Sequence, residues 1–483
     1  MSKKIKSISN PKLHLEILSP YDVRKLHDAT LNIIENVGIR FPSKKALQIW
    51  ESNGAVIDHE KMIVKVNPQI IESAIKNAPP TYNLCARDSQ QDLPLDGNHV
   101  YAGTDGCGVE VIDIHTGERR TSKLQDVADV ARVADATEEV AFHWVALSAQ
   151  DKPVETRGLY EMKAIWENST KHLQTESIYN EREAKVAIEM AALIAGGKEA
   201  LRKRPVLSLM QCTAPPLGHD GGSLDASLLA AEAGIPTGFM TMSSALTTGP
   251  ATMAGVLAVG NAEVISATAL LQLAFPGAPV FYAAAQTASD LRNGAYTGGG
   301  PEDFLFGAAT NVLSDFYDIP LSMGSFATGA KEPNWQAGIE NSLSTFMASI
   351  SMSDMLLGLG FLHGSRIWSY AQMMMDAEIF SIIHKTLQGI TVDDETLALE
   401  TIAKVGPGGN FLSQKHTLKH MRDLFLPEFM DRRPYNEWEE KKDDARDWAL
   451  VKARNILANH EPDPLDPKLS KELDKMIAAE EKY

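Results

Sequence analysis

From about residue 122 to residue 382 the chain keeps returning to one pattern. A short apolar run is followed by a loop, a helical stretch and another apolar run, and successive runs start roughly 30–45 residues apart. That interval is the room a parallel strand pair needs for a helical crossover. The runs are VAFHWVALSA (140–149), HLQTESI (172–178), PVLSLMQC (205–212), PTGFMTM (236–242), PVFYAAAQ (279–286), PLSMGSF (320–326) and MLLGLGF (355–361), with an eighth expected near AQMMMDAEIF (371–380). Helices are expected between them, for example over 156–169, 181–196 and 301–317. Seven or eight such units over about 250 residues predict an α/β fold, a (β/α)8 TIM barrel. A doubly wound sheet is the alternative, but no G-x-G-x-x-G follows the first strand.

The flanks read differently. Residues 1–95 form a helical N-terminal extension, with SPYDVRKLHDATLNIIENVGI carrying apolar residues at helical spacing behind a Ser-Pro start. Residues 96–122, rich in DG and TG turn signals, read as a β-hairpin segment. The barrel is expected over 123–382, and 383–483 as a helical C-terminal extension. The most apolar stretch, 252–275, is interrupted by Asn261 and Glu263 and reads as a buried helix. The N-terminus has no apolar h-region, so a cytoplasmic location is expected.

With 46 basic and 63 acidic residues the net charge is −17, which argues against nucleic acid or an anionic membrane as partner. Three cysteines, Cys85, Cys107 and Cys212, lie far apart with no C-x-x-C, so neither a disulfide framework nor a Cys-ligated zinc is expected.

Barrel sites lie at the C-terminal ends of the strands and in the loops beyond them. Those loops hold small polar residues, aromatics and few cations. Glu176 and Asp151 are the strand-end carboxylates. His143, His172, His219 and His363 fall on or after different strands, but His143 sits on an apolar strand and reads as core, so no metal site is expected. GGGPEDF reads as a sharp turn opening a helix rather than a phosphate cradle. Trp335, Phe361, Trp368 and Tyr370 lie on adjacent loops. Ring faces are what a site offers a quaternary ammonium, which has no hydrogen to donate; packing under the loops is the plainer use of the same residues.

Four stretches, YAGTDGCGVEVID, GGGPEDF, TGAKEPNWQAGIEN and SMSDMLLGLGFLHG, resemble the trimethylamine methyltransferase family, and the resemblance runs along most of the chain. It implies a (β/α)8 barrel that moves a methyl group from a methylated amine to the Co(I) of a separate corrinoid protein. The cobalamin then belongs to the partner, and no cofactor is bound permanently. Trimethylamine enzymes of the family carry pyrrolysine, and this chain has only standard residues. That departure implies the branch acting on quaternary amines: glycine betaine first, then proline betaine or carnitine. On this reading Trp335, Phe361, Trp368 and Tyr370 cage the methyl groups, His363 and Arg366 meet the substrate carboxylate, Glu176 faces the ammonium, and Asp105 orients ligand or loop. No side chain acts as general acid or base. A homo-oligomer is expected. A metal-dependent barrel lyase or hydrolase and a non-catalytic betaine-binding protein stay open as alternatives.

Overall fold

The computed structural model describes residues 7–9, 15, 17–106 and 108–482; Cys107 lies outside the described residues. Among them, eight parallel strands close on themselves: β1 (His99–Gly103), β2 (Val140–Trp144), β3 (His172–Thr175), β4 (Leu207–Cys212), β5 (Thr237–Thr241), β6 (Val280–Ala284), β7 (Leu321–Gly324) and β8 (Met355–Leu357). Closure is made by Met355 of β8 against Tyr101 of β1. The eight helices that follow them are α1 (Leu124–Ala136), α2 (Arg157–Asn168), α3 (Glu181–Ala195), α4 (Gly221–Ala233), α5 (Met253–Ala274), α6 (Pro301–Tyr317), α7 (Trp335–Ile350) and α8 (Tyr370–Leu387).

Seven strands fall where their apolar runs predict them. The eighth does not: residues 371–380 lie inside α8, and the eighth barrel strand is β1, within the segment expected to be a hairpin. The run of three methionines there misleads because helix and strand cores draw on the same apolar residues. The rest of that segment does form an antiparallel pair, Glu110–Ile112 with Arg119–Thr121.

Two cores result. Inside the ring pack Phe142, Trp144, Met210, Met240, Phe281 and Met355 among others. The outer core lies between strands and helices. Helix α5 is apolar on every side and long enough to cross a membrane by length and composition, yet 83% of its most apolar window is buried. The N-terminal extension explains this. Its helices Pro20–Asn32 and Pro68–Ile75 pack against α5 from outside, so a barrel helix that would normally show a polar face has none. The two interrupting residues are buried and hydrogen-bonded, although the Asn261 Oδ1 has no partner. Glu263 accepts from Thr213 Oγ1 at 2.7 Å and Leu217 N at 2.8 Å, and Asn261 Nδ2 donates to Thr30 and Tyr317 hydroxyls at 2.8 Å each.

At the C-terminus, α9 (Ala445–Asn459) packs on α8 and α1, and α10 (Pro467–Glu480) on α2 and α3. Between α8 and α9 the chain leaves the body as an arm. From Gln388 to Glu428 no residue is buried.

Candidate active site at the barrel mouth

Four consecutive strands aim functional side chains into the mouth. Beyond β1, Asp105 is buried; its Oδ1 accepts from Gly106 N at 2.8 Å and its Oδ2 from Ser365 Oγ. At the end of β2 stands Trp144, buried with its indole N–H unpartnered. Beyond β3, Glu176 is half-buried, with Oε2 3.9 Å from the thiol of Cys212 at the end of β4. Burial pushes the Cys212 thiol far above its usual range, and the charges of Glu176 and then Asp105 push it further. That thiol stays protonated and is no nucleophile. Burial raises the Asp105 carboxyl, against the bonds from Ser365 and Gly106 that lower it.

The loop carrying Asp105 lies flat on Trp144. A Cβ at Gly106 would fall 2.2 Å from the indole Cε2, so only glycine permits this approach. From beyond the adjoining strand β8, a hairpin (Phe361–Leu362 with Ile367–Trp368) joins the Glu110–Ile112 pair in a four-stranded sheet over the β8–β1 seam. Its tip is held in the left-handed region, with φ of 56° at His363, 62° at Gly364 and 62° at Ser365. Two non-glycine residues there, His363 and Ser365 on either side of Gly364, are costly. The tip is fixed by His363 N to Ala330 O at 2.8 Å and Gly364 N to Thr328 O at 2.9 Å. The strained turn delivers the Ser365 hydroxyl to Asp105.

The sequence-predicted residues divide accordingly. Asp105 and Glu176 both lie just beyond strand ends on the C-terminal face of the barrel. His363 and Arg366 are exposed on the rim, where Arg366 lies 3.6 Å from Glu110. Partial burial lowers the His363 imidazole, and the neighbouring Lys331 and Arg366 charges add to this. Phe361, Trp368 and Tyr370 are buried and pack edge-to-face on one another, with centroids 5.3 and 5.9 Å apart; their ring faces serve the hairpin core. Trp335 is the first residue of α7 behind the Asn334 cap, and 79% exposed. The expectation of these four aromatics around one cavity does not match their positions, because the turn that places Trp335 in solvent belongs to a helix start rather than a loop.

The buried histidines are engaged separately. His143 Nε2 meets Ser169 Oγ at 2.7 Å, His172 bridges Cys85 O and Ser208 Oγ at 2.7 and 2.9 Å, and His219 lies between Phe41 and Phe239. Burial pushes them down to about 3, 4 and 3 respectively, so they are neutral. At GGGP, Asp303 Oδ2 accepts from the N–H of the cap residue Gly300 at 2.8 Å.

Trp144, Cys212 and Ser365 were missed by sequence reasoning. Trp144 shares strand parity with Phe142, and the same face of the neighbouring strand carries Glu176. That periodicity was readable. The reach of Ser365 across the seam, 260 residues from Asp105, was not.

The comparisons agree with this architecture. A trimethylamine methyltransferase (MttB) of Desulfitobacterium hafniense (strain DSM 10664 / DCB-2) is 32% identical over 95% of this chain and 92% of its own. A glycine betaine methyltransferase of Desulfitobacterium hafniense (strain Y51) is 33% identical over 96% of each. The crystal structure of the monomethylamine methyltransferase of Methanosarcina barkeri superposes with a TM-score of 0.50 at 12% identity, over 91% of this chain and 92% of that one, which speaks for the fold. Residues 1–482 match the trimethylamine methyltransferase (MTTB) family, and the chain belongs to that family.

Proposed function

We propose that this chain transfers a methyl group from a quaternary amine, glycine betaine first, to the Co(I) of a separate corrinoid protein and releases dimethylglycine. The observation that carries the reading is the placement of Asp105, buried and bonded to Ser365, and of Glu176, 3.9 Å from the Cys212 thiol, just beyond the ends of the barrel strands. It is a negative, largely desolvated mouth with no activated nucleophile, suited to a cation that donates no hydrogen bond. The absence of pyrrolysine from the sequence points the same way.

The bookkeeping needs no proton. The Co(I) electron pair forms the bond to the methyl carbon, the C–N pair stays on nitrogen, and a neutral tertiary amine leaves. The chain's own task is to hold the N–CH3 axis toward the incoming cobalt, exclude water and fix the substrate's other end. Asp105 and Glu176 hold the ammonium, Trp144 offers it an apolar wall, and Lys331 and Arg366 form a cationic rim for the carboxylate, beside His363, whose protonation their charges disfavour. Mixing the chain with reduced corrinoid protein and glycine betaine tests this: a methylated-corrinoid spectrum is expected, and tight betaine binding without it leaves only a binding protein. The same assay with proline betaine and carnitine ranks the substrates.

Because Trp335 stands in solvent, Trp335→Ala is expected to change kcat/KM for the amine by less than about 3-fold, the scale of one exposed cation–π contact. A larger loss would bring the indole back into the mechanism.

Self-association belongs to the same reading. The arm exposes Leu412, Leu418, Leu424 and Leu426, each more than 70% accessible, more apolar surface than a lone chain usually leaves open. Sedimentation velocity is expected to show an oligomer, and replacing these four leucines by serine to shift it toward monomer.

A further inference from the structure

The arm poses a problem of stability. Its helices, Asp394–Leu397, Leu399–Val405 and Lys415–His420, are four, seven and six residues long and bury nothing. Helices this short do not hold in water by propensity alone. Yet two of them bring together the side chains of Glu395, His416 and His420, each offering a ligand atom, all within 4.8 Å of one another. His416 and His420 are one turn apart, with ring centroids 4.4 Å apart. His420 Nε2 lies 3.1 Å from Glu395 Oε1, and His416 Nε2 lies 3.1 Å from the Glu395 carbonyl. In tetrahedral zinc sites with 2.0–2.1 Å bonds, ligand atoms sit about 3.3 Å apart, so small side-chain rotations close this group on an ion. The outer shell is also present. His420 Nδ1 is 2.7 Å from Asp423 Oδ2, the carboxylate–imidazole arrangement that fixes a ligating histidine.

We propose that Glu395, His416 and His420 bind a divalent transition-metal ion, zinc by the character of an N2O donor set, and that this ion staples the arm. The fourth position is left to water. Binding joins the helix start near Glu395 to Lys415–His420 and closes the loop between them, supplying the cross-link that the arm's missing core does not. Lys419 Nζ, 2.6 Å from Glu395 Oε1, competes for that oxygen and is released when the ion binds. The site is remote from the barrel mouth in sequence and fold, so it stands or falls independently of the methyl-transfer reading.

The test uses the full-length chain, stripped with chelator and titrated with Zn2+ alone, then with Co2+ as a spectroscopic stand-in. One equivalent of zinc per chain is expected to survive dialysis, and the cobalt form to show the intense visible bands of a tetrahedral ion. His416→Ala and His420→Ala are each expected to weaken zinc at least about 100-fold, and Asp423→Asn about 10–100-fold, as outer-shell partners do. Trypsin cleavage at Lys415, Lys419 and Arg422 is expected to slow when zinc is added to the parent protein and not to the variants. Because the arm buries nothing, the barrel's thermal transition serves as the folding control. Zinc that does not survive dialysis, or that binds equally well to the double variant His416→Ala/His420→Ala, overturns the proposal.

Discussion

Glu176→Gln is expected to lower kcat/KM for glycine betaine by about 30-fold or more, equivalent to at least about 2 kcal/mol, the scale of losing one partner from a desolvated charge pair. The argument rests on what a quaternary ammonium lacks. It donates no hydrogen bond, so a carboxylate holds it by charge alone, and an isosteric amide keeps the packing while removing the charge. Asp105 is the lesser contributor. Its oxygens already accept from Gly106 N and Ser365 Oγ, and burial pushes its carboxyl toward the neutral form. The control is 3,3-dimethylbutyrate, which replaces the ammonium nitrogen by carbon. Parent and variant are expected to bind it equally by calorimetry, while differing for betaine. Unchanged betaine turnover in the variant would sink the electrostatic account of the mouth.

The second large effect concerns pH and the support under the site. Glu161 on α2 is fully buried. Its Oε1 accepts from Ala149 N at 2.7 Å. In the first turn of the same helix, a Cβ at Gly158 would fall 2.3 Å from Ser177 O, next to Glu176. Burial pushes the Glu161 carboxyl up to about 7, outweighing the hydrogen bonds from Ala149, Ser177 and Ser148 that lower it. The folded protein therefore holds this proton where the unfolded chain, at its ordinary value of 4.5, has released it. Between pH 4.5 and 7 the native state binds more protons, so unfolding free energy falls as pH rises through that window. The total is at most about 3 kcal/mol. Glu161→Gln mimics the neutral acid. It is expected to match the parent near pH 5 and to exceed it by up to about 3 kcal/mol at pH 8, where the parent must ionise a buried group. Urea unfolding at both pH values checks this; an equal deficit of the variant at both would show that Glu161 is valued as an anion.

What the sequence disclosed follows the range of the forces involved. Strand and helix positions come from local periodicity, and seven of the eight barrel strands were legible for that reason. The missed one, His99–Gly103, is separated from its helix by a hairpin, so its spacing breaks the repeat. Glu176 was legible because strand-end position alone marks it. Trp335 misled because its setting among glycine, proline and asparagine reads as a loop, whereas Asn334 caps a helix there. The aromatic trio after β8 was read by composition, and composition cannot tell a ring face offered to a ligand from one used by a neighbour. Family membership was legible because it draws on motifs spread over the whole chain.

The bond between Ser365 and Asp105 has a consequence for the order in which the protein becomes useful. The two residues are 260 positions apart, one just past the first stave of the ring and one just past the last. A nascent chain on the ribosome can fold its early helices and stack its early strands, but the carboxylate waits for a hydroxyl not yet translated. This pairing therefore forms late, when the final stave docks.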